Sequence, residues 1–90
     1  MPKIGGKEYT YRIASLESMR QCAKLERKIA AVDSIEMIDD DKVFHHLISM
    51  WREMLGIMLV DGSEIKAGEV PSHELVGVNK GFFNQGTPTK

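Results

Sequence analysis

The chain opens on a period of two and then changes to periods of three and four. Tyr9, Tyr11 and Ile13 alternate with Glu8, Thr10 and Arg12, which would put both tyrosines and the isoleucine on one face of a strand. Gly5-Gly6 precedes them as a two-residue turn signal, because glycine reaches the positive φ angles that such turns demand. Residues 2–13 are therefore predicted to form a short β-hairpin. Two strands alone are marginal in water, so this one must lean on another element.

From Leu16 the apolar residues Leu16, Met19, Cys22, Leu25, Ile29 and Val32 recur at three- and four-residue steps. This predicts an amphipathic helix over 15–32, with Ser15 as its N-cap and Glu17 opposing the positive end of the helix dipole. Arg20, Lys24, Arg27 and Lys28 fall on its outer face, as a solvated polar face or as a basic docking stripe. Asp33 to Asp41 then holds five acidic residues and no basic one. With Ile35, Met37 and Ile38 interleaved, it reads as a tight connection pinned to the core. Asp39, Asp40 and Asp41 lead into a second helix, predicted over 40–60.

That second helix has an unusual wheel. At about 100° per residue, His45, His46, Ser49, Arg52, Glu53 and Gly56 share one arc, while apolar side chains from Val43 to Leu59 fill the rest. The apolar arc spans roughly 200°, about twice the stripe of a helix lying on one side of a small core. A self-association or partner surface follows as an expectation. Met50, Met54 and Met58 form a ridge one turn apart, either filling core gaps or adapting to a partner. With Val43 and Ile57 they are the candidate contact residues on this helix. Gly56 would mark a close helix crossing.

Asp61-Gly62 is expected to stop the helix, with glycine in the left-handed conformation. Ser63 to Val70 reads as a polar loop with room for an edge strand near Ile65. Pro71 suits a first helical turn and Ser72 a cap. Leu75, Val76, Val78, Phe82 and Phe83 then predict a third helix over 71–85, weakened by Gly77 and Gly81, with residues 86–90 as a tail. Phe82 and Phe83 join the candidate contact residues. The whole chain is expected to be one domain over residues 1–90, α+β and mainly α, with the hairpin packed on about three helices.

Composition narrows the class. Hydrophobic residues are 42% and charged residues 28% of the 90, a globular and not a disordered balance. A net charge of −1 and a pI near 6.3 provide no global basic field for nucleic acid or anionic lipid. The N-terminus lacks a signal-peptide core, and no run of eighteen apolar residues is present for a membrane span. A reducing, cytoplasmic setting is expected. Cys22 is the only cysteine, which excludes an internal disulfide and a Cys-rich metal site.

Candidate chemistry does not assemble. His45 and His46 are adjacent, so on a helix they point about 100° apart and cannot converge on one metal. The acidic stretch lacks the spacing and central glycine of a calcium loop. Cys22 falls on an apolar helix face, where a buried, inert thiol is the ordinary outcome. Gly5-Gly6-Lys7 is a turn and not a phosphate loop. Tyr9, Tyr11 and Arg12 could stack bases beside the basic helix face, and Lys80-Gly81-Phe82 faintly matches the start of an RNA-recognition strand. The remainder of that motif is missing. No enzyme and no cofactor is expected.

The layout now complete is a β-arm ending in Gly6-Lys7-Glu8-Tyr9-Thr10-Tyr11-Arg12 and two helices. A Val60-Asp61-Gly62-Ser63-Glu64 loop follows, then a final helix opening with Pro71-Ser72-His73-Glu74-Leu75 and closing near Gly81-Phe82-Phe83. This arrangement resembles the small tail assembly chaperones of tailed bacteriophages over most of the chain. The resemblance implies a soluble, largely helical, non-catalytic protein without a cofactor. It would associate with itself and with tape-measure or tail-tube proteins in the host cytoplasm, keeping those chains from aggregating. A structural virion subunit (capsid, connector or tail) is the second expectation, and a nucleic-acid-binding regulator the third.

Overall fold

The computed structural model describes residues 1–85 and is α+β, mainly α. A hairpin of β1 (Lys3–Ile4) and β2 (Lys7–Glu8) precedes α1 (Leu16–Ala30), α2 (Ile35–Asp39), α3 (Asp41–Met58) and α4 (Ser72–Asn84). Two 3-10 turns, Gly62–Glu64 and Ala67–Glu69, link α3 to α4. α3 is the hub, contacting α1, α2, both turns and α4. The expected tail, residues 86–90, lies outside the described residues.

β1 and β2 pair antiparallel, Lys3 opposite Glu8 and Ile4 opposite Lys7. Gly5 and Gly6 make the turn at φ +59 and +86. The hairpin is shorter than the period of two predicts. After Tyr9, whose N–H donates to the Pro2 carbonyl at 2.9 Å, the chain pairs instead with the segment that follows α3. Arg12 N–H donates to Met58 O at 2.8 Å and Val60 N–H to Thr10 O at 2.9 Å, flanking an antiparallel bridge between Tyr11 and Leu59. The arm leans on the end of the central helix. Tyr9 and Tyr11 are half-buried, but Ile13 is 91% exposed. Backbone pairing has ended by Arg12, so the strand period no longer governs residue 13.

Ser15 caps α1 in a reciprocal box: Ser18 N–H donates to Ser15 Oγ at 3.0 Å and Ser15 N–H to Ser18 Oγ at 2.9 Å. The helix stops at Ala30, short of Val32. Cys22 and Leu25 are buried, whereas Leu16 is 86% exposed because the packed stripe begins one turn later, at Met19.

The 33–41 connection holds α2, capped by Ser34 Oγ, which accepts from Met37 N–H at 3.2 Å. It is not pinned to the core throughout. Met37 is half-buried but Ile35 is 83% exposed and Ile38 is open to solvent. Once these residues are helical, Ile35 and Ile38, three apart, share the outer face, and Met37 points to the opposite side.

Asp40 caps α3 through Oδ1, which accepts from Val43 N–H at 3.1 Å. The helix ends at Met58, and its last turn carries no basic residue. Arg12 supplies the missing charge from the β-arm: its Nε donates to Gly56 O at 3.1 Å and Leu59 O at 3.3 Å. A cation at a helix C-terminus opposes the negative end of the dipole.

Three expectations about the following segment are corrected. Asp61, and not Gly62, takes the left-handed conformation, at φ 61. Gly62 is buried for a different reason, since a Cβ there would overlap the backbone carbonyl of Leu55. Gly56 does not mark a helix crossing; a Cβ there would lie 3.4 Å from Ser63 Cβ, in the turn that folds back over α3. Ile65 is buried, but in a connection of two 3-10 turns and not in a strand.

Pro71 stands at the cap position of α4, and Ser72 is the first helical residue instead of the cap. Three long-range bonds fix this helix. Gly5 N–H donates to Glu74 Oε1 at 3.1 Å, Tyr11 Oη to Val78 O at 3.1 Å, and Asn79 Nδ2 to Glu26 Oε2 at 2.9 Å. Leu75, Val78 and Phe82 are buried; Val76 is not.

Candidate protein-binding surface

The methionine ridge is core. Met50 is 4% exposed, and Met54, Met58 and Phe82 are fully buried. They share one cluster with Cys22 and Leu25 of α1, Leu75 and Val78 of α4, and Ile4, Ile65 and Ala67. All four are therefore withdrawn as contact residues. Ile57 and Phe83 are half-buried and pack against that cluster, so they too are chiefly structural. Val43 is half-buried and lies outside it.

The wide apolar arc of α3 is divided along the length of the helix. Its C-terminal half is covered by Met50, Met54, Leu55 and Met58 entering the core, with Trp51 half-buried beside them. Its N-terminal half stays open. Phe44 is 38% exposed and Val43 half-buried, while Leu47 and Ile48 are half-buried with one side against the core.

Sequence reasoning missed the concave surface beside that open half. Phe44, Ile48 and Arg52, one turn apart on α3, face the 63–69 segment across a groove of about 590 Å³. Ile65 and Ala67 are buried anchors that hold the second wall in place. Gly68 lets that wall approach closely: a Cβ there would meet Ile48 Cδ1 at 3.0 Å and Phe44 Cζ at 3.7 Å. Arg52 Nε donates to Ser63 O at 3.4 Å, bracing the far end. His45, Arg52 and Lys66 set basic groups on the rim, with Glu64 and Glu69 as acidic ones. An apolar floor with a few polar rim groups is the ordinary form of a binding groove. The i, i+4, i+8 row of Phe44, Ile48 and Arg52 was visible in the sequence; that the loop would fold back beside it was not.

The remaining candidate chemistry takes structural places. Burial pushes the Cys22 thiol up to about 11, with the Glu26 carboxylate adding to the shift, so the thiol stays protonated and inert. Tyr11 lies against Phe82, ring centroids 6.5 Å apart, and burial raises its hydroxyl above the ordinary value. Arg12 is committed to capping α3. Tyr11 and Arg12 thus form no base-stacking platform, while Lys7 Nζ sits 5.2 Å from the Tyr9 ring centroid. Lys80-Gly81-Phe82 lies inside α4 and not in a strand. His45 Nδ1 lies 2.7 Å from Asp41 O, and His46 and His73 are exposed. Among the described residues no group of three or more His, Cys, Asp or Glu is placed to hold a metal ion. No helix among them is long and apolar enough to cross a membrane. Arg20, Lys24, Arg27 and Lys28 are all exposed along α1.

No protein family, curated protein or solved structure matches the chain.

Proposed function

We propose that this protein is a non-enzymatic assembly factor that binds an apolar segment of another protein in the groove between α3 and residues 63–69. The reading rests on one observation: the N-terminal half of α3 keeps Phe44 and Ile48 at an open, apolar-floored groove. A groove walled by a helix on one side and an anchored loop on the other suits an amphipathic helix, which lays its apolar face into such sites. The layout likeness to phage tail assembly chaperones gives that partner a class, a long helical tape-measure or tail-tube chain that aggregates when unaccompanied.

The test is aggregation of a purified tape-measure-type polypeptide, followed by light scattering. The protein is expected to suppress the turbidity, and Phe44→Ser with Ile48→Ser to remove most of that effect while the circular dichroism spectrum is retained. A wild-type protein without effect overturns the reading, as does a folded double variant that works equally well. Absence of the protein from purified particles is expected of a chaperone. Fixed stoichiometry within them favours the structural-subunit alternative.

A further inference from the structure

A second exposed apolar patch, formed by residues that do not line the groove, lies on α2. Ile35 is 83% exposed and Ile38 44% exposed. They are set among Asp33, Glu36, Asp39, Asp40 and Asp41, all exposed. The opposite combination occurs on α1. Leu16, Arg20, Lys24 and Lys28 stand at four-residue steps, which aligns them in one row on the helix surface. Every member of that row is exposed, as is Arg27 beside it. One patch is apolar with five acidic groups; the other is apolar at one end with four basic groups and one carboxylate, Glu17, exposed on the same face. The two differ in composition and are complementary in charge, so the patch of one copy matches the other patch of a second copy.

We infer that the α2 corner of one molecule docks on the α1 row of a second copy. Each copy carries both patches, so the contact is made twice in a closed two-fold pair or once per neighbour in a ring or open chain. Opposite charges set orientation and speed encounter, while Ile35 and Ile38 against Leu16 and the aliphatic stems of the lysines supply burial. The contact leaves the groove of the proposed function unused and does not depend on it.

Sedimentation of the full chain tests this by charge reversal. At low salt the average mass should rise with concentration, and raising the salt past the point where the Debye length falls below about 10 Å should weaken association roughly tenfold. Lys24→Glu with Lys28→Glu should leave the protein monomeric, and so should Asp33→Lys with Glu36→Lys. Mixing the two variants should restore association, because the native α2 corner of one meets the native α1 row of the other and the two reversed patches are themselves complementary. Should the acidic-side variant lose α2, Ile35→Ser must break the same contact while the helix content is kept. Monomeric wild type at every concentration, association indifferent to both reversals, or failure of the mixture to pair overturns the inference.

Discussion

A methyl group at Gly62 would overlap the carbonyl of Leu55, and backbone on backbone is a clash that no rotamer relieves. Gly62→Ala is therefore expected to cost about 3 kcal/mol or more, at the upper end of overpacking penalties. Chemical denaturation against wild type measures it, and a change within 0.5 kcal/mol (about the scatter of neutral surface substitutions) would show that the loop moves aside freely. The sequence placed a glycine at the end of α3 but suggested the wrong use for it. Asp-Gly is an ordinary helix stop, and nothing in the local pattern says that Asp61 takes the left-handed turn while Gly62 is pressed against the helix. That assignment depends on where residues 63–69 go, which is a tertiary fact.

At the level of elements, α3 is closed by a residue that precedes it by two elements. Replacing Arg12 with Ala removes both hydrogen bonds to the final carbonyls together with the charge facing the dipole. The expected loss is about 1–2 kcal/mol, the range for a cation at a partly buried helix C-terminus. Thermal unfolding measures it, and Arg12→Lys should recover part of the loss through charge alone. The cap residues Ser15 and Asp40 were legible in the sequence because a cap is local, needing only a short polar side chain ahead of an apolar run. The inward face of α3 was not. The helix carries two four-step rows, Phe44–Ile48–Arg52, which runs from the apolar arc into the polar one, and Met50–Met54–Met58, roughly 120° apart on the wheel. Periodicity marks both as apolar or amphipathic and cannot rank them. The methionine row went inward and the row with the exposed phenylalanine became the wall of the groove.

Over the whole molecule, the supposition that the chain cannot cover its central helix is met by uneven coverage. The long axis measures 42 Å and the short one 20 Å, and α1, α2, α4 and the return turns all pack on α3. Ile35 and Ile38 on α2 and Phe44 in the first turns of α3 nevertheless stay exposed. The core also carries a signature of alkaline sensitivity. Cys22 rises from 9.0 to about 11 and Tyr11 rises from 10.0, so both groups hold their protons longer in the folded state. Between these values the unfolded chain loses protons that the native chain keeps, and stability must fall as pH rises. The contribution is complete below pH 9 and declines from there towards 11. Melting temperatures across that window should drop, and Cys22→Ala should flatten the early part of the decline. A profile unchanged by that substitution would assign the slope to other groups.

The seam between Thr10–Arg12 and Met58–Val60 also dictates an order of events. Arg12 and Leu59 are 47 positions apart, so their union closes a long loop, an entropic cost that α1 and α3 do not incur in forming their own turns. During synthesis the first dozen residues must wait unpaired until Val60 has left the ribosome. In that interval Tyr11 also lacks the Phe82 ring and the Val78 carbonyl that it meets in the folded chain.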